Sequence, residues 1–169
     1  MILAFDTYYY NNKAKTVGLG LANWSDETPM IVYREILKDV EEYEPGAFYK
    51  RELPCILSLL KRVALEEVKY IIVDSFVVLD DDGKLGLGGY LYEALDEKIP
   101  IIGVAKTSFF GNDKNVVELF RGESKKPLYI SAKGVDLLKA KKLIQSMHGN
   151  FRIPTMLQIL DAKTKDRME

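Results

Sequence analysis

The chain of 169 residues is 47% hydrophobic and 29% charged, a balance that supports one continuous core and predicts a single domain over 1–169. A formal net charge of −1 excludes attraction of nucleic acid by the field of the whole protein, so such a partner would need a local basic patch. Cys55 is the only cysteine, which excludes an intrachain disulfide and a cysteine-based zinc cluster and fits a reducing compartment. Asp6 interrupts the first apolar run, and no basic segment precedes it. The longest apolar run, 68–79, is broken by Lys69 and Asp74 and falls short of the roughly 20 residues of a spanning helix. These features predict a soluble cytoplasmic protein with no membrane partner, a monomer in the simplest reading.

In chain order, residues 2–9, 16–22 and 30–37 read as three strands, with turn chemistry at Asn11-Asn12-Lys13 and Trp24-Ser25-Asp26-Glu27. Leu53, Ile56, Leu57, Leu60 and Val63 then recur at helical spacing. Pro54 is tolerated only in a first turn, so this helix is expected to start near Lys50 or Arg51. That puts Glu52 at the helix entrance, where the dipole favours a negative charge. Residues 68–74, VKYIIVD, read as a buried parallel strand ending in Asp74. In the loop that follows, Asp80-Asp81-Asp82 lacks the spacing and distal glutamate of an EF-hand and reads as a solvated turn. A helix over 87–96 and a buried strand over 100–104 come next, with Ala105-Lys106-Thr107 at the strand's carboxyl end. Residues 116–121 and 127–131 are expected to pair around 122–126. A helix over 135–147 is closed by Gly149 beyond His148, and a last helix covers 155–165. This order predicts an α/β fold with an antiparallel start and a parallel remainder.

In open α/β sheets, sites form outside the carboxyl ends of the strands. Asp6 and Asp74 meet there if their strands are neighbours, with Glu52 supplied by the helix between them and Asp161 by the last helix. That is the ribonuclease H-like pattern, a mixed central sheet with an antiparallel first three strands and helices on both faces. Alone, Asp6 is an ordinary turn acid, Glu52 a helix-start charge and Asp161 a solvated helix acid, whereas Asp74 at the end of a buried strand points to function by itself. Together, four oxygen donors without cysteine or clustered histidine favour a hard divalent ion, Mg²⁺ or Mn²⁺.

Four segments in the same order resemble the endonuclease V family of nucleases, which cut a strand near deaminated adenine. Tyr43, Pro45, Gly46, Arg51 and Glu52 match the family's wedge and Arg-Glu segment at unbroken spacing. Asp6 and Tyr9 match its first-strand motif, Ile102-Gly103-Val104-Ala105-Lys106 its Gly-Val-Ala-Lys segment, and Arg152-Ile153-Pro154 its Arg-Leu-Pro, from which Asp161 falls at the fourth ligand position. The resemblance covers nearly the whole chain, apart from the family's N-terminal helical extension. It implies metal-dependent hydrolysis of one phosphodiester bond near inosine in DNA or RNA, leaving a 3′-hydroxyl and a 5′-phosphate, as in nucleic-acid repair.

The resemblance further implies roles for individual residues. Asp6, Glu52, Asp74 and Asp161 would bind the metal and serve catalysis, and Lys106 would neutralise a phosphate. Tyr43 would fill the gap left by a flipped base. Gly46, Phe48, Ser75, Gly86, Leu87, Gly103 and Ala105 would line the base pocket, with Pro45 beside the wedge. Ser131 and Gly134 match a late Ser-x-x-Gly of the family, though Val135 stands where histidine is usual. After Asp74 the family carries glycine and then His-Pro-Arg; here Ser75 and the acidic run 80–82 stand instead. That departure bears on substrate affinity and inosine preference more than on catalysis. It leaves two alternatives, a catalytically silent nucleic-acid-binding relative and a ribonuclease H-like nuclease with a different substrate.

Overall fold

The structure is a computed structural model describing residues 1–40, 45 and 49–166. Strands β1 (Ile2–Tyr10) and β2 (Lys13–Leu21) form a hairpin through Asn11 and Asn12, both left-handed at φ 46° and 60°. Asparagine tolerates this conformation, and a two-residue loop with both φ positive matches the twist of the flanking strands. β3 (Ile31–Lys38) adds antiparallel to β2. Helix α1 (Tyr49–Leu60) begins slightly earlier than Pro54 suggested, so the proline lies in the second turn, where its missing N–H removes one bond of the helical ladder. A 3₁₀ turn, Leu65–Glu67, leads into β4 (Tyr70–Val73).

The remaining elements are α2 (Leu87–Ala94), β5 (Ile101–Ala105), β6 (Val117–Leu119), β7 (Leu128–Lys133), α3 (Leu137–Gln145) and α4 (Thr155–Lys165). The seven strands form one mixed sheet ordered β3-β2-β1-β4-β5-β7-β6. β1, β4 and β5 are mutually parallel, as a run of buried apolar strands requires. The parallel trend stops at β5: β7 runs antiparallel to β5, and β6 antiparallel to β7.

Alternation along the strands divides the core between two faces. Ile2, Ala4, Ile72 and Val104 face Ala140 and Ile144 of α3 and Met156 and Leu160 of α4. Leu3, Phe5, Ile71 and Val73 face Ile56 and Leu59 of α1 and Leu87 and Leu91 of α2. This is the ribonuclease H-like α/β architecture, with helices on both faces. α3 is capped by Asp136, whose carboxylate accepts the Lys139 N–H at 3.2 Å, and Gly149 at φ +119° turns the chain beyond it toward α4. Among the described residues no helix is long and apolar enough to cross a membrane.

Candidate metal and nucleic-acid site

Strand order reverses between β1 and β4, and the acids gather at that crevice. Phe5 pairs with Val73, so Asp6 and Asp74 occupy the next rung of two parallel neighbours. The period of two turns both toward α4, on the side of Ala4 and Ile72. There Asp161 of α4 joins them, and Asp6, Asp74, Asp161 and Lys106 rim a cavity of ≈ 20 Å³ walled by Leu157 and Leu160. A space of that size takes one water or one ion. Glu52 approaches from the opposite face on α1; it is only 3% exposed and interacts with the Thr7 side chain.

Electrostatics ties the four together. Burial pushes the Asp6 carboxyl up to about 7, with added repulsion from Asp74 and, less, from Asp161; the Thr7 N–H, donating at 2.9 Å, offsets only part of it. Glu52 is raised well above the carboxylate range by burial and then by Asp6 and Asp74. Burial also raises Asp74, against the opposing pull of Lys106. Two lysines partly compensate: Lys106 Nζ lies 3.6 Å from Asp74 Oδ2, and Lys165 Nζ donates to Asp161 Oδ2 at 3.1 Å. Among the described residues no three acidic, histidine or cysteine side chains stand in an arrangement that holds an ion. Asp74 and Asp161 are each engaged by a lysine. In chemistry, though not in the spacing seen here, the donors suit a hard divalent cation: all are oxygen, Asp6, Asp74 and Asp161 border an ion-sized cavity, and a cation would relieve the repulsion among the carboxylates.

Two motif residues that the sequence placed far apart meet beneath this cluster. The Arg51 guanidinium carbon stands 3.4 Å over the centre of the Tyr9 ring, clamping the start of α1 to β1 beside Glu52. The Tyr9 hydroxyl and Arg51 Nε are buried without hydrogen-bond partners in the protein, and burial, with the nearby Glu52 charge, holds the phenol proton on. Arg152 works similarly on the other flank. Its guanidinium donates to the Pro127 carbonyl at 2.7 Å and to that of Lys106, fixing the backbone from which the Lys106 amine reaches Asp74.

Asp74 and Lys106 also line a second, larger pocket of ≈ 370 Å³, within the usual range of about 300–1,000 Å³ for ligand clefts. The expected Ser75, Gly86, Leu87 and Ala105 line it as well. Gly86 is required for space: a Cβ there would meet the Phe76 carbonyl oxygen at 2.4 Å. Gly103 lies behind the wall, where a Cβ would meet the Ser75 carbonyl oxygen at 2.4 Å and Ser131 Oγ at 2.7 Å. Ser131 is fully buried and acts on the pocket indirectly, accepting the Val77 N–H at 2.9 Å and so holding the loop after Asp74.

Gly134 is not brought to the pocket. β7 runs antiparallel to β5, so Lys133 pairs with Ile101 and Gly134 packs against Pro100 and Tyr92 at the opposite end of the strand. Pro45 is exposed, and Tyr43, Gly46 and Phe48 lie outside the described residues. Tyr49, Phe76, Leu79 and Phe109 also line the pocket and were not singled out from the sequence. The signal the sequence carried for Phe109 was the pair Phe109-Phe110 in a loop three residues after Lys106; in the structure they are 41% and 99% exposed.

No family model matches the sequence, and no curated protein matches it. Solved structures do match in fold. Human endonuclease V is 22% identical over 97% of this chain and 82% of that one, with a TM-score of 0.74. The Ciona intestinalis endonuclease V, solved with a 24mer DNA containing an inosine followed by a ribo-adenosine, is 18% identical over 97% and 83% of the two chains, at 0.77. The Bacillus subtilis endonuclease V is 16% identical over 96% and 77%, at 0.73. The fold is therefore ribonuclease H-like. More narrowly, it is the fold of the endonuclease V structures.

Proposed function

We propose that this protein is a divergent endonuclease V, a metal-dependent nuclease that hydrolyses one phosphodiester bond near a deaminated base, inosine, in a nucleic-acid strand. The observation that carries this reading is the parallel pairing of β1 with β4, which sets Asp6 beside Asp74 next to a base-sized pocket. Asp6, Glu52, Asp74 and Asp161 would hold Mg²⁺ or Mn²⁺, which supplies Lewis acidity toward a phosphoryl oxygen and lowers the pKa of a bound water. Lys106, shared by the acid cluster and the pocket, neutralises the phosphate between them as a point charge. Phe76, Phe109 and Leu87 give an extruded base apolar faces to stack on, which offsets part of the few kcal/mol of unstacking. Tyr43 would fill the gap that the base leaves.

The lysines already engaging Asp74 and Asp161 favour one second reading, a protein that binds nucleic acid without cutting it. Labelled strands with and without inosine, incubated in Mg²⁺ and then Mn²⁺, separate the two. The nuclease reading expects metal-dependent cleavage near inosine that Asp74→Asn abolishes. Full activity in that variant would remove the site assignment, binding without cleavage would favour the second reading, and cutting indifferent to inosine would leave a nuclease of other substrate.

A further inference from the structure

The acidic run 80–82 reads from the sequence as a solvated turn, but Asp80 and Asp81 are both engaged. Residues 78–85 form a small hairpin: Val78 bridges Leu85, the Leu79 N–H donates to the Lys84 carbonyl at 2.7 Å, and Gly83 turns the chain at φ +87°. Asp80 closes it from within, its Oδ1 accepting the N–H groups of Asp82 at 3.1 Å and Lys84 at 3.0 Å. Asp81 instead reaches out to the neighbouring loop that follows β5. Its Oδ1 accepts the N–H groups of Asp113 at 2.7 Å and Lys114 at 2.6 Å, and its own N–H donates to the Gly111 carbonyl at 2.9 Å. Asn115 Nδ2 donates to the Asp80 carbonyl and Asn112 Nδ2 to the Val78 carbonyl, both at 2.9 Å.

The loop these bonds hold has little else to fix it. Residues 107–116 contain no helix or strand. The segment carries Phe109, whose ring meets Phe76 edge-on at 6.1 Å and closes one wall of the larger pocket. A carboxylate accepting two backbone N–H groups makes charge-assisted bonds, about twice as strong as neutral ones. Asp81 correspondingly holds its charge below the usual carboxylate range through those two donors. The brace stands in the segment where the family resemblance breaks down, so it belongs to this chain's own loops.

We propose that Asp81 is a positioning residue for base selection: its carboxylate ties the 107–115 loop to the 78–85 hairpin and so fixes Phe109 as a wall of the base pocket. This rests on reading that pocket as the one for the extruded base. Losing the acceptor leaves the loop tied, among the described residues, only by Asn112, Asn115 and the Asp81 N–H, loosens Phe109 and levels the pocket's preference among bases. Asparagine keeps an acceptor Oδ1 in the same place, so it separates the bonds from the mere presence of a side chain.

The test uses the full chain as wild type, D81A and D81N, with labelled single strands differing only in one inosine or adenosine, bound in EDTA at low salt. Hydrogen exchange at the Asp113 and Lys114 amides is read alongside. D81A is expected to lose protection at both amides and to weaken inosine-strand binding about tenfold, with adenosine-strand binding nearly unchanged. D81N is expected to stay near wild type in both readouts. The proposal is overturned if D81A keeps its amide protection, if it loses protection but keeps the wild-type base preference, if D81N behaves as D81A, or if the wild type has no preference. Failure of the wild type to cut in Mg²⁺ or Mn²⁺ strikes the nuclease reading and leaves this binding comparison standing.

Discussion

The acid cluster and the aromatic pocket share Asp74 and Lys106, yet they are built by opposite means. The acids are carried on strands and helices and fixed in place by the sheet register, while their charges are disfavoured: burial first, and neighbouring carboxylates after it, raise the pKa values of Asp6, Glu52 and Asp74. Much of the pocket wall is carried on loops, and backbone groups there are held by side chains, Val77 N–H by Ser131 and the two loops by one another through Asp81. The first region is set by the sheet and strained in charge, which is consistent with the proposed cation site. In the second, geometry depends on individual hydrogen bonds, so single substitutions should change shape before they change charge.

Three substitutions sharpen that contrast. Lys106→Ala removes the cation that, among the described residues, lines both regions, and cleavage should fall by on the order of 10²-fold, measured as single-turnover rate at saturating strand. A loss confined to strand binding would move Lys106 out of the chemistry. For Asp6 the effect is on stability. Its carboxyl sits at 3.8 when unperturbed and at about 7 in the fold, so the metal-free folded state holds a proton that the unfolded chain releases. The stability this gives is present below about pH 4 and lost as pH rises through about 7, amounting to at most ~4 kcal/mol. Asp6→Asn should therefore exceed the wild type in Tm at pH 8, with the gap narrowing toward pH 5, in thermal melts in EDTA. A gap that does not vary with pH would contradict the raised pKa. The smallest effect is on the pocket side, where Gly103→Ala must push Ser75 or Ser131 aside. That overpacking should cost about 1–3 kcal/mol, or roughly 2–4 °C of Tm per kcal/mol. An unchanged melt would mean that the wall behind the pocket yields freely.

Much of this was legible in the sequence, for identifiable reasons. Residues 68–74 and 100–104 announced buried parallel strands through apolar runs bounded by turns, and Asp74 at the end of one of them pointed at the crevice. α4 was read with its observed bounds, Thr155–Lys165. The pairing of β6 with β7 around 122–126 was legible from the turn between them, but the direction of β7 against β5 was not, because apolar periodicity is identical in parallel and antiparallel strands. Gly134, matched together with Ser131 to one motif of the family, lies at the other end of β5, because β7 runs back along that strand. The Asp81 bonds were not legible because its acceptor role depends on a loop some 30 residues away in sequence. The stack of Arg51 on Tyr9 has the same cause: two motifs recognised separately become one contact only when α1 packs on the sheet.

The central claim of the proposed function is that Asp6, Glu52, Asp74 and Asp161 would hold a divalent cation, with Asp6, Glu52 and Asp74 keeping their protons to higher pH than free carboxylates until it binds. Calorimetric titration of Mn²⁺ into the metal-free protein near pH 7, repeated in buffers of different ionisation enthalpy, measures binding and proton release together. The account predicts saturable binding with net proton release, both lost in Asp74→Asn. Binding without proton release, or undiminished binding in Asp74→Asn, would contradict it.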